Sequence, residues 1–203
     1  MSSKSISERC RIVLSWFFVL IMGAVVLFAW SREEKVSILS TILFAAGCTL
    51  AGVASLGRLW CSLYISGYKS NTLVVVGPYS LCRNPLYFFS LLGSIGVGLT
   101  TETFSIPLIV FVAFSVYYPI VIRREETRLL ELHGEKFESY CRMTPSFFPK
   151  LSNLKEPDEY HVRPKIFRRN MFDALWFMWL IAILEVIESL HEAGIVPVYF
   201  KIY

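Results

Sequence analysis

Long uncharged apolar blocks alternate with short polar ones along this chain, and their lengths predict the architecture. Residues 12–30 carry no charge and number 19. At about 1.5 Å per helical residue they can cross roughly 30 Å of hydrocarbon. A tight polar turn at 31–35 separates them from a second uncharged block, 36–56. Its small residues Ala46, Gly47, Ala51, Gly52 and Ser55 suit close helix packing in lipid, as do Gly23 and Ala24 in the first block. Residues 57–83 are more polar, with Arg58, Lys69 and Arg83, and Gly67, Asn71, Gly77 and Pro78 break any long helix there. Pro85 suits the first turn of a short apolar helix over 86–99 that ends near Thr101. Residues 104–122 form the next uncharged block, with Pro119 placed to kink it.

From Arg123 to Arg142 the pattern changes. Charges alternate with Leu129, Leu130, Leu132 and Phe137, which predicts a helix leaving the membrane and interrupted at His133-Gly134. Residues 144–158 hold three prolines and read as loop, and 161–169 are basic. Apolar residues resume at 171–184 and run into Glu185, Glu188 and His191. With the two glutamates inside the bundle, 171–190 predicts a further span, the alternative being an interfacial helix. The fold class expected is all-α: a polytopic transmembrane bundle of about five spans. Residues 1–150 form the core, and 151–203 a C-terminal extension.

Composition supports this reading. Hydrophobic residues make up 55% of the 203 and charged residues 18%, against about a quarter in soluble domains, and mean hydropathy is +0.53. The block 12–30 is too long for the apolar centre of a typical secretory signal, and no small-residue cleavage site follows it, so it reads as a retained first span. The net charge of +4 matters less than where the charge lies. With a cytoplasmic N-terminus and five spans, seventeen of the twenty Lys and Arg fall on the cytoplasmic side. Five cysteines form no C-x-x-C pair and no zinc spacing with histidine, so neither a disulfide framework nor a metal site is expected.

That topology brings two polar clusters to one mouth of the bundle. One is Gly77 to Tyr87, GPYSLCRNPLY; the other is Arg123-Arg124-Glu125-Glu126. Arg83 and Asn84 sit where a helix begins, a place suited to a carboxylate or phosphate. Arg83 could equally be a topological anchor at the headgroups. Glu125 and Glu126 could bind a cation, an ammonium or ribose hydroxyls, or could pair with Arg123, Arg124 and Arg128 at helical spacing. Glu185, Glu188 and His191 share a helix face and read as a polar face rather than a metal site.

These stretches resemble the C-terminal half of the isoprenylcysteine carboxyl methyltransferase family, which broadly takes in the phospholipid N-methyltransferases. The family pattern is G-x-Y-x-x-x-R-H-P-x-Y-x-G, then an E-E pair, then an F/Y-G-x-x-Y-x-x-Y stretch and a closing F-x-P. Gly77, Tyr79, Arg83, Pro85 and Tyr87 match the first block, and Glu125 and Glu126 the pair. Gly134, Tyr140, Arg142, Pro145, Phe148 and Pro149 match the last, so the likeness covers 77–149. Asn84 stands where the family has His, Phe89 where it often has Gly, and Phe137 where it often has Tyr. Asn can hydrogen-bond a carboxylate or ribose but carries no proton near pH 7.

The resemblance implies S-adenosylmethionine as cofactor, in a cytoplasmic pocket roofed by the segment after the Glu pair. It implies methyl transfer to a small apolar or lipid-like acceptor arriving from the bilayer. Arg83, Asn84 and Glu126 would be the catalytic set. Tyr79, Arg83, Asn84, Pro85, Tyr87, Glu125, Glu126 and Tyr140 would bind the cofactor. Expected partners are the bilayer and a lipophilic acceptor, not nucleic acid. Sterol reductases that use NADPH share a similar C-terminal pattern, and a non-catalytic membrane protein of the same fold is the third reading. The glutamate pair favours the methyltransferase, because its charge disfavours a 2′-phosphate.

Overall fold

The computed structural model describes residues 29–30, 38–66, 68, 72–195 and 200–201. Seven helices occur among them: α1 (Ile38–Ile65), α2 (Pro78–Leu81), α3 (Pro85–Leu99), α4 (Ser105–His133), α5 (Glu135–Met143), α6 (Pro164–Ala174) and α7 (Trp176–Glu192). A single 3₁₀ turn, Leu151–Asn153, lies between α5 and α6. The chain divides into two compact units, Val36–Ile181 and Met1–Lys35 with Ala182–Tyr203. In the latter, the two-residue strands β1 (Ala29–Trp30) and β2 (Phe200–Lys201) pair in parallel. The rest of the expected first span, 12–28, lies outside the described residues, and so do Gly23 and Ala24.

The protein is a helical membrane bundle. Ile38–Ile65, Ser105–His133 and the combined stretch Pro164–His191 are each long and apolar enough to cross a bilayer. Helix α3 has 15 residues, or about 22 Å, short of a full crossing. The compact unit that holds the motif runs to Ile181.

Helix α1 runs past the end of the uncharged block at Leu56, through Gly57 and Arg58 to Ile65, just short of the break expected at Gly67. The bare backbone of Gly57 is what the Phe89 ring packs against; a Cβ there would overlap the ring. One expectation needs correcting. Gly52 was expected in the packed seam, yet nothing lies within 4 Å of where its Cβ would be. The seam runs instead along Leu43, Gly47, Ala51, Ala54 and Gly57, a stripe at three- and four-residue spacing, all buried. Gly96 of α3 lies against it so closely that an added Cβ would stand 2.8 Å from Ala51 N and Gly47 O. Such approach is available only to glycine, and it is how helices gain dispersion contact where lipid removes the hydrophobic drive. Phe177, at the start of α7, covers Gly93 and packs on Ala51 and Ala54.

Helix α4 runs without interruption past Pro119 and through the charged segment to His133. It stops at Gly134, whose φ of +51° is a backbone state that L side chains rarely adopt. Its N–H closes on Leu130 O at 2.8 Å, and α5 starts at the next residue. The interruption expected at His133-Gly134 is therefore present, and it folds α5 back toward the mouth of the bundle.

Candidate functional site

Pro85 starts α3, which fixes Arg83 and Asn84 on the two residues before its first turn. Glu126 reaches them from α4, more than forty residues later in the chain. Arg83 grips it with two bonds, Nε to Oε1 at 2.9 Å and Nη2 to Oε2 at 3.2 Å. This fork-to-fork geometry is the strong form of an arginine–carboxylate pair. The Asn84 amide nitrogen donates to Glu126 Oε1 at 3.0 Å and to Ser146 O at 3.1 Å. The Ser146 hydroxyl donates to the same Oε1 at 3.1 Å.

Arg83 also closes the end of α5. Its Nη1 donates to Cys141 O at 3.1 Å and Thr144 O at 2.7 Å, carbonyls that a helix terminus leaves without partners. Burial works against the Arg83 charge, but the bonds and charge of Glu126 outweigh it, and the guanidinium pKa lies above its ordinary value. One side chain thereby ties α3, α4 and α5 together.

The turn holding these residues is clasped by the chain that follows α5. Gly77 N donates to Lys155 O at 2.8 Å, Arg83 N to Pro145 O at 2.9 Å and Lys150 N to Leu81 O at 3.0 Å. Lys155 N donates to Ser80 Oγ at 2.9 Å. Tyr140 Oη donates to Tyr79 O at 2.5 Å. Gly77, with φ of +60°, lies under the Tyr64 ring, where any side chain would collide. The Gly, the Tyr pair and the closing Pro segment of the motif thus build the clasp.

An open groove of about 650 Å³ flanks the network, lined by Arg123, Glu126, Thr127, Leu130, Phe137, Glu138, Cys141 and Arg142. It lies between the exit turns of α4 and the length of α5.

The expected site residues fall into distinct places. Arg83, Asn84 and Glu126 meet, and Glu126 also faces the groove. Glu125, one position earlier on the helix, is half-buried and takes none of the bonds that hold Glu126, since neighbours on a helix point about 100° apart. Tyr79 and Tyr140 are buried in the clasp and absent from the groove wall, and burial pushes both phenols above their ordinary pKa. Tyr87 stands edge-on to Tyr118, with centroids 5.2 Å apart. Pro85 is fully buried at the start of α3. Cys82 is fully buried, and its thiol is pushed up to about 12 by burial, which leaves it protonated and unreactive at neutral pH. Ser146 went unnoticed in the sequence; its place beside Pro145 in the closing motif was the available signal.

Among the described residues no group of three or more His, Cys, Asp or Glu could hold a metal ion. A family model described as phospholipid methyltransferase matches residues 36–136. The cobalt-zinc-cadmium resistance protein CzcN of Cupriavidus metallidurans is 42% identical over 187 residues, covering 92% of this chain and 86% of that protein. The nickel-cobalt-cadmium resistance protein NccN of Alcaligenes xylosoxydans xylosoxydans is 40% identical over 161 residues, covering 79% and 75% respectively. No solved structure matches the chain. The matched region takes in both halves of the Arg83–Glu126 network and the helices that carry them, and this chain belongs to the phospholipid methyltransferase family of integral membrane methyltransferases.

Proposed function

We propose that the protein transfers a methyl group from S-adenosylmethionine to a small apolar or lipid-like acceptor at the cytoplasmic membrane face, in the manner of isoprenylcysteine carboxyl methyltransferases. The observation that carries this reading is the open groove beside the Arg83–Asn84–Glu126 network. Its volume is in the range of small-molecule sites. Its donor set fits the cofactor's chemistry. Glu126 and Glu138 suit an ammonium and ribose hydroxyls, Arg123 and Arg142 a carboxylate, and Leu130 and Phe137 an adenine face. When bound, the cofactor supplies a methyl group on a sulfonium, ready for in-line displacement.

The chain's own residues then align and desolvate. Arg83 spends four of its five N–H donors on Glu126 and the α5 terminus, and the Asn84 amide nitrogen spends both of its donors on Glu126 and Ser146. Their role is accordingly to hold the Glu126 carboxylate at the groove and to fix α5 as its wall. Methyl transfer to an acceptor already ionised or lone-paired at neutral pH needs position more than proton transfer. Asn84 in place of the family His is compatible with that chemistry.

The trait named for the two relatives suggests where the reaction serves. Methylation of a membrane component would belong to the response to cobalt, zinc, cadmium or nickel rather than to direct ion binding. The test is equilibrium binding of labelled S-adenosylmethionine to the detergent-solubilised chain. Glu126→Gln should weaken binding about ten- to a hundredfold, the loss of one charge-assisted bond of roughly 1.5–3 kcal/mol. No binding at millimolar cofactor, or preferential binding of NADPH, would end this reading.

A further inference from the structure

Arg58 lies seven residues before the end of α1, inside a helix long and apolar enough to span the bilayer. Four helices converge on it. Its Nη1 donates to Ser90 Oγ of α3 at 2.5 Å, and its Nη2 reaches Asp173 O near the end of α6 at 3.4 Å. The Phe177 ring of α7 lies under the guanidinium, 5.7 Å from its centroid. Tyr118 of α4 lies within electrostatic reach of it. The hydrogen bonds and the ring contact are with neutral groups, and the Asp173 carboxylate acts on the guanidinium from outside ion-pair distance. Among the described residues Arg58 forms no ion pair, and its buried Nε has no hydrogen-bond partner.

A guanidinium at this depth is costly unless something anionic meets it, and such residues normally pair or mark a ligand site. A second unpartnered polar atom points the same way. Tyr79 is 7% exposed, its hydroxyl has no partner, and it packs on Cys61, one helical turn along α1 from Arg58. Arg58 itself is only half-buried. The helices bearing Arg58 and Asp173 expose Leu56 and Phe172, and α7 exposes Trp176 at its start, an apolar setting suited to an alkyl chain.

Position links this cation to the proposed reaction. Tyr118 lies eight residues before Glu126 on α4, about 12 Å deeper in the membrane, and Ser90 lies about 7.5 Å along α3 from Pro85. Resting on the methyltransferase reading above, we infer that Arg58 binds the anionic head, a phosphate or carboxylate, of the methyl acceptor as it enters from the bilayer. It is a specificity-determining residue and touches no reacting atom. It selects anionic amphiphiles over neutral or cationic ones of equal chain length.

The probe is dodecyl phosphate, titrated by ³¹P NMR into the full chain in dodecyl maltoside. Wild type should bind it at least tenfold more tightly than Arg58→Gln does, with Arg58→Lys between them. Equal affinity in wild type and Arg58→Gln overturns the inference. Should Arg58→Gln fail to fold, wild type still decides: dodecyltrimethylammonium competing as well as dodecyl phosphate overturns it. The second arm is methyl transfer to a lipid extract. Dodecyl phosphate should compete with the acceptor, and Arg58→Gln should raise acceptor KM about tenfold while kcat and S-adenosylmethionine affinity hold. A merely structural tie between helices would instead lower kcat and cofactor affinity together. Phosphate binding through Arg58 without competition makes the occupant a resident lipid and overturns the acceptor assignment. Wild type that binds dodecyl phosphate but no S-adenosylmethionine rejects the methyltransferase reading, and the acceptor assignment falls with it.

Discussion

Along the seam between α1 and α3 the contacts are steric and made by absence. Gly47 and Gly96 bring backbone to backbone, and the added carbon of an alanine would stand 2.8 Å or less from main-chain atoms. At the clasp, a short distance along the same two helices, the contacts are polar and made by one side chain each. Arg83 alone holds a carboxylate on α4 and two carbonyls at the end of α5. The seam therefore tolerates no gain of volume and the clasp no loss of a donor. In lipid a seam of this kind is the cheaper device, since it exposes no polar group. A clasp is needed where the bundle must present charge to a ligand and still keep that charge in place.

Arg83→Ala should break this contrast most severely. It leaves a half-buried carboxylate unpaired and two helix-terminal carbonyls uncapped, a loss of about 3–5 kcal/mol by analogy with other broken pairs of this kind. Thermal unfolding in detergent should drop, and cofactor binding should be abolished. Gly96→Ala tests the seam. The new methyl meets main-chain atoms that cannot rotate away, so overpacking should cost about 1–3 kcal/mol. Cofactor affinity measured on the folded fraction should change little.

Asn84→His refines the clasp. The Asn84 amide nitrogen donates twice, to Glu126 and to Ser146 O, whereas each imidazole nitrogen carries at most one proton. One of the two bonds must go, with an expected loss of roughly 0.5–1.5 kcal/mol and a matching, modest fall in S-adenosylmethionine affinity. Full retention of stability and affinity would show that the second bond contributes nothing. Gly52→Ala should have the smallest effect. Nothing lies within 4 Å of the new methyl, so only helix propensity changes, and the protein should be unaffected or stabilised by up to about 1 kcal/mol. Destabilisation there would mean that the seam extends to a face of α1 that now stands open.

The two regions were unequally legible in the sequence. Small residues in a long apolar block announce a close-packed seam, and Gly47, Ala51 and Ser55 are buried as that rule expects. The same rule included Gly52, because a stretch of α1 does not say which of its faces meets a neighbour. Gly57 and Arg58 mark where the pattern turns polar, yet they lie inside α1, where Phe89 and Ser90 of α3 pack against the one and accept from the other.

Block length and charge spacing alone determined that this is a helical membrane protein, because hydrocarbon thickness fixes how many apolar residues a span requires. The ordered motif determined its family and singled out Arg83, Asn84 and Glu126. The tertiary structure decided what those residues are bonded to. Glu126 and Glu125 are adjacent and chemically identical, yet one is held by Arg83, Asn84 and Ser146 while the other is turned away from them. Helix rotation separates them, and that rotation is set by how α4 packs on α3 and α5. Ser146 and Arg58 became visible only there. Their partners lie 20 and 32 residues away in the chain, a separation over which local pattern carries no information and packing carries all of it.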